Sequence, residues 1–127
     1  TDLQDALGEA AAGDEIWVAT GVYTPSAIYT ESFQLVPGAG LYGGFIGSES
    51  EREQRDWETN PTVLSGDIDN NDITDPTGVV TSLLNVVGRN SFHVIYANGT
   101  TGTPITETTV VDGIIITAGW AATASLL

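Results

Sequence analysis

One stretch of this chain carries a helical period, and nothing after it does. Leu3, Ala6, Leu7, Ala10 and Ala11 fall at the i, i+3, i+4, i+7, i+8 spacing of a single buried helical stripe. Thr1 and Gln4 fit a capping box, Asp2 and Asp5 lie where the helix dipole favours acids, and Gly13 stands at the C-cap. A capping helix is therefore predicted over residues 1–13. After it come short β-prone segments at 15–19, 32–36, 40–45, 62–65, 92–97 and 109–117. Between them stand Pro37-Gly38, Asn98-Gly99 and Asp112-Gly113, pairs that tight turns require. With 15 Gly and 17 Thr, the chain reads as many short strands joined at close corners, which argues against a doubly wound α/β fold.

Charge and length narrow the function. The 127 residues suit one domain. Seventeen Asp and Glu face three Arg and no Lys, for a net charge of −14. Such a surface repels phosphate and anionic lipid, which excludes nucleic-acid binding. The apolar runs, such as Ile114-Ile115-Ile116, are too short for membrane insertion. Without cysteine there is no disulfide framework, thiol nucleophile or thiolate zinc site. The chain begins at Thr1 and contains no Met, so it is expected to be a processed or excised piece whose signal peptide has gone.

Spacing separates a sandwich from a solenoid. Trp17 to Tyr42 is 25 residues and Tyr42 to Leu64 is 22, within the roughly 20–29 residues of one repeat coil. The rhythm breaks after Leu64. Its excess falls in a polar stretch of about 68–90, expected to project as an insertion loop.

The run Gly13-Asp14-Glu15-Ile16-Trp17-Val18-Ala19-Thr20-Gly21-Val22-Tyr23-Thr24 resembles the opening of right-handed parallel β-helix proteins, the pectin-lyase-like superfamily. Leu41-Tyr42-Gly43-Gly44-Phe45, Arg55-Asp56-Trp57, Thr62-Val63-Leu64-Ser65-Gly66-Asp67 and Val111-Asp112-Gly113-Ile114-Ile115-Ile116-Thr117 are similar to segments that follow in the same order in secreted bacterial surface polypeptides. The resemblance implies an all-β, right-handed parallel β-helix solenoid with an N-terminal capping α-helix. It divides 1–127 into the cap, coils over 14–119 and an irregular tail at 120–127, a single truncated domain that is the N-terminal fragment of a longer protein. It implies little about chemistry, because lyases, hydrolases, adhesins and passive stalks share that architecture.

The residues that could carry chemistry cluster in one place. Asp67, Asp69, Asp72 and Asp75 put four carboxylates within nine residues. Asp67, Asp69 and Asn71 match the first three ligand positions of a calcium loop, with Asp72 and Asp75 as further oxygen donors. Asp72 stands where that loop needs Gly, and Gly78 where it needs Glu, so it is not an EF-hand. The plainer reading is a solvated acidic loop. Calcium is thus the one cofactor to test.

A catalytic alternative uses Asp67 and Asp69 as paired carboxylates of a glycoside hydrolase. Were the strand through Leu64 to continue, they would share a face roughly 6–7 Å apart, near the lower limit for an inverting pair. A lyase is disfavoured, because Arg52 and Arg55 sit among five acids and Arg89 stands alone. In 92–96, Phe92, Val94 and Tyr96 should share an apolar face, leaving His93 outside. Tyr23, Tyr29, Trp57 and Trp120, with Trp17 and Tyr42, are candidate stacking platforms for a polysaccharide or surface glycan, although packing at corners accounts for most such rings.

Together these features predict a structural or adhesive scaffold from a secreted or cell-surface bacterial protein, without catalysis of its own. The alternative is a polysaccharide-acting glycosidase. The open C-terminal coil predicts a homodimer joined end to end, the alternative being a monomer in which Trp120, Leu126 and Leu127 fold back as the cap.

Overall fold

Asp2 opens the helix in this computed structural model, which describes residues 2–100 and 102–121. The Asp2 carboxylate accepts the Gln4 amide at 2.9 Å, and α1 runs Leu3–Glu9. It stops short of Gly13 because Ala10 is already extended and the Ala11 amide is taken by the Asp14 carboxylate at 2.8 Å. Leu3 and Leu7 are buried. The expected cap at Thr1 and the tail at 122–127, Leu126 and Leu127 included, lie outside the described residues.

Among the described residues eight short strands follow: β1 Glu15–Ala19, β2 Gly21–Tyr23, β3 Phe33–Gln34, β4 Gly40–Phe45, β5 Thr62–Ser65, β6 Ile95–Tyr96, β7 Val110–Asp112 and β8 Ile114–Thr117. All ladders between them are parallel. One sheet is ordered β1-β4-β7, a second β2-β5-β8, and a third has only β3-β6. The segment at 109–117 divides into two strands because Gly113 adopts a positive φ of 68°, which turns the chain from the first sheet into the second.

The all-β, right-handed parallel β-helix that the resemblance implied is corrected here. The described residues form three short parallel sheets and one α-helix, with 11% helix and 26% strand, and no solenoid is detected among them. The strands are two to six residues long. Among the described residues the third sheet holds β3 and β6, and residues 68–90 leave the stack between β5 and β6, closed at their base by an isolated antiparallel bridge between Asp67 and Asn90.

The core lies between the sheets. Leu3 and Leu7 of the helix meet Val18, Phe33, Leu41, Leu64 and Val94, with Ile16, Tyr23, Leu35, Val36, Ile95 and Ile114 around them. The helix lies against β1 and β3. No described helix is long and apolar enough to cross a membrane.

Candidate functional site

The acidic stretch singled out by sequence is organised by its own carboxylates. Strand β5 ends at Ser65, so Asp67 and Asp69 do not continue it and the facing pair expected from strand alternation does not form. The chain turns away at Gly66, where a side chain would strike the Ala118 carbonyl. Asp67 is buried, and its two oxygens accept the amides of Asn71 and Asp72, each at 3.1 Å. Asp69 accepts the Arg89 amide at 2.9 Å across the neck of the excursion. Asp72 accepts the Val87 amide at 2.6 Å and the Asn90 side-chain amide at 2.7 Å, and that amide also donates to the Ala118 carbonyl at 2.7 Å.

These carboxylates therefore tie the two ends of 68–90 together. Asp75, farther out, caps its own turn by accepting from Thr77 and Val79, which holds its carboxyl below the usual range, the Thr77 hydroxyl first among the causes. Among the described residues no three His, Cys, Asp or Glu side chains stand together as a metal-holding group.

Replacing Asp67 by alanine strands two backbone amides at the neck, with an expected cost of about 1–3 kcal/mol. The melting temperature should fall by several degrees, and exchange at the Asn71 and Asp72 amides should accelerate relative to the β4 amides. Unchanged exchange there would mean that the neck closes without Asp67.

A second cluster forms on the β1-β4-β7 sheet. Tyr42 of β4 is buried beneath the guanidinium groups of Arg52 and Arg55, at 4.7 and 5.1 Å from its ring centre. Arg55 is the better buried, its side chain 9% exposed. It pairs with Asp112 of β7 at 3.0 Å and donates to the carbonyls of Gly43 and Asp112, each at 3.2 Å. Arg52 pairs with Glu15 of β1 at 2.5 Å and with Glu53 at 3.5 Å. The two arginines thus clamp all three strands of the sheet from outside.

Trp57 completes the cluster, with Arg55 over its ring at 4.9 Å and half of its surface open to solvent. Its position depends on Gly44. There φ is +94°, and an added Cβ would meet the Trp57 backbone nitrogen at 2.7 Å. The Asp56 amide also donates to the Gly44 carbonyl at 2.9 Å.

Asp56 fixes the turn from the other side. Its carboxylate accepts the amides of Glu58 and Thr59 and the Thr59 hydroxyl, and the Thr59 contacts foremost hold its carboxyl below the usual range. A depressed folded-state value stabilises the turn above the ordinary carboxylate range, and that contribution fades as pH falls through the lowered value. The Asp56 contribution to the turn is therefore fully present at neutral pH.

Trp57 is the wall shared by two clefts. One, of about 420 Å³, is lined by Tyr42, Arg52, Glu53, Arg55, Val110 and Asp112 besides Trp57. The other, of about 530 Å³, runs past Pro61, Thr77, Ile114 and Ile115. The acidic loop borders a separate cleft of about 330 Å³ that includes Asp67 but neither Asp69 nor Asp112. The structure thus places Asp112 with the arginines.

The remaining candidates scatter. Tyr23 donates its hydroxyl to the Ala19 carbonyl at 3.0 Å, and Trp17 stacks on Phe45 with ring centres 4.9 Å apart. Tyr29 meets Phe92 edge-on, with Arg89 over its ring at 5.3 Å, beside Trp120. The apolar face expected for Phe92, Val94 and Tyr96 is corrected: only Val94 of the three is buried, because the strand there is Ile95–Tyr96 alone.

Sequence reasoning missed the arginine cluster. It assigned Arg52 and Arg55 to nearby acids, which holds for the Arg52–Glu53 pair at 3.5 Å, whereas Glu15 lies 37 residues from Arg52 and Asp112 lies 57 from Arg55. The available signal was two of the chain's three cations, Arg52 and Arg55, standing just ahead of Trp57. No protein-family model, curated protein or solved structure matches this chain.

Proposed function

We propose that this chain is a non-catalytic structural and adhesive scaffold from a secreted or cell-surface bacterial protein. The supporting observation is the use made of Asp67, Asp69 and Asp72. Each is occupied by amide donors that close the base of an excursion, and Asp67 and Asp69 do not line a common cleft. A glycosidase needs one carboxyl free to donate a proton and another aimed at the sugar across a shared gap. A display role needs only that the loop keep its shape. The location rests on the likeness of the segments around Trp17, Tyr42 and Asp112 to secreted bacterial surface polypeptides.

The test is incubation of the purified chain with neutral polysaccharides, assayed for released reducing ends beside the Asp67→Asn and Asp69→Asn variants. No release above a protein-free blank is expected. Release that disappears in either variant would replace the scaffold reading with a hydrolytic one.

A further inference from the structure

We infer that the outer face of the β1-β4-β7 sheet carries a binding site for a neutral, extended saccharide, with Trp57 as its stacking platform. This deepens the adhesive reading above and rests on it. Trp57 is 51% exposed although one face lies under Arg55. Arg55 lies over one face of the indole, and Gly44 and Asp56 fix the backbone that carries it, so apolar ring surface stays in water on a seated side chain. Immobilisation before binding removes an ordering cost that a free side chain would incur on contact.

Charge selects the class of ligand. On one side of Trp57, Arg52 and Arg55 are matched by Glu53 and Asp112, and Glu15 adds a further carboxylate against Arg52. The cluster holds two positive charges against three negative ones, within a chain of net charge −14. An anionic sugar gains nothing from guanidinium groups that are already paired, and the surrounding field opposes it. A cationic ligand meets both arginines first.

A polyol suits the arrangement. Each hydroxyl can donate to a carboxylate and accept from a guanidinium, the two partners that these ion pairs set side by side. The wall position of Trp57 sets the length. A ligand that stacks on the ring and reaches into the clefts on either side, about 420 and 530 Å³, must contain several sugar rings in a row.

The experiment is titration calorimetry of the intact chain with cellohexaose, mannohexaose and maltohexaose, and with trigalacturonate as the charged counterpart. At least one neutral hexasaccharide should bind at millimolar concentration or below, and trigalacturonate at least tenfold more weakly. Trp57→Ala should weaken the neutral ligand by roughly tenfold, the loss expected for one stacked ring, while Trp57→Phe stays within a few-fold of the wild type. Glu53 has an exposed side chain and no role in the core, so Glu53→Ala keeps the test valid if Trp57→Ala unfolds. It should weaken binding by roughly three- to tenfold, the range of one hydrogen bond. Leu84→Ser, at an exposed position that lines neither cleft, should bind like the wild type.

Binding that is absent for all three neutral ligands, equal for trigalacturonate, or unaffected by Trp57 and Glu53 substitution overturns the site. None of those results produces reducing ends, so each is distinguishable from failure of the scaffold reading.

Discussion

Phe33→Ala should destabilise this protein by about 3–5 kcal/mol, the range for emptying a buried aromatic position. Phe33 is fully buried in β3, which pairs with β6 in a two-stranded sheet. Its amide donates to the Val94 carbonyl at 2.9 Å, and its side chain joins Leu3 and Leu7 of the helix to Leu64 and Val94. The cavity would open where three layers meet, with no long strand nearby to collapse into it. A small domain has on the order of 5–15 kcal/mol in total, so the variant should be close to its folding limit. Urea denaturation followed by circular dichroism would measure this, with the midpoint shifted strongly downward and the slope unchanged. A loss below about 1 kcal/mol would show that the helix and sheets repack freely around the gap.

Gly44→Ala should be nearly as costly, for a different reason. The residue is buried at φ +94°, where a side chain is strained wherever it points, at about 1–3 kcal/mol. Its Cβ would also press on the Trp57 backbone, at 2.7 Å from the nitrogen and 2.8 Å from Cα. Backbone cannot rotate away as a side-chain tip can. The 56–59 turn must shift, breaking the Asp56 amide bond to the Gly44 carbonyl and moving the indole off its seat. A fall in melting temperature of 5 °C or more is expected, accompanied by changed tryptophan fluorescence. A melting curve like the wild type's would mean that the 56–59 turn floats over the sheet.

The longer strands were legible because they are long and apolar for their length: β1, β4 and β5 have the bounds that composition predicts. Strand β2 escaped notice because it has three residues and points Val22 outward, so no alternation of buried and exposed residues announces it. The division of β7 from β8 was written in Asp112-Gly113, a turn pair inside a run that otherwise reads as one strand. The acidic stretch misled for a physical reason. Carboxylates that repel one another along the sequence are compatible when each is assigned a different set of amides, and sequence does not say which amides will be near. The arginine cluster was hidden by distance along the chain, since its partners arrive only when β1, β4 and β7 lie side by side.

That side-by-side arrangement also fixes the order in which the chain can assemble. Parallel neighbours cannot be joined by a tight turn, so every ladder here closes a long loop. Glu15 pairs with Gly40 across 25 residues, whereas Gly40 pairs with Val110 across 70. Closing the longer loop costs about 1 kcal/mol more in chain entropy. It becomes affordable once β4 is already held as a template. The β1-β4 ladder is therefore the less costly one to close first, and β7 adds to it. Arg55 reaches Asp112 only once β7 lies beside β4, so this ion pair ties together positions 57 residues apart.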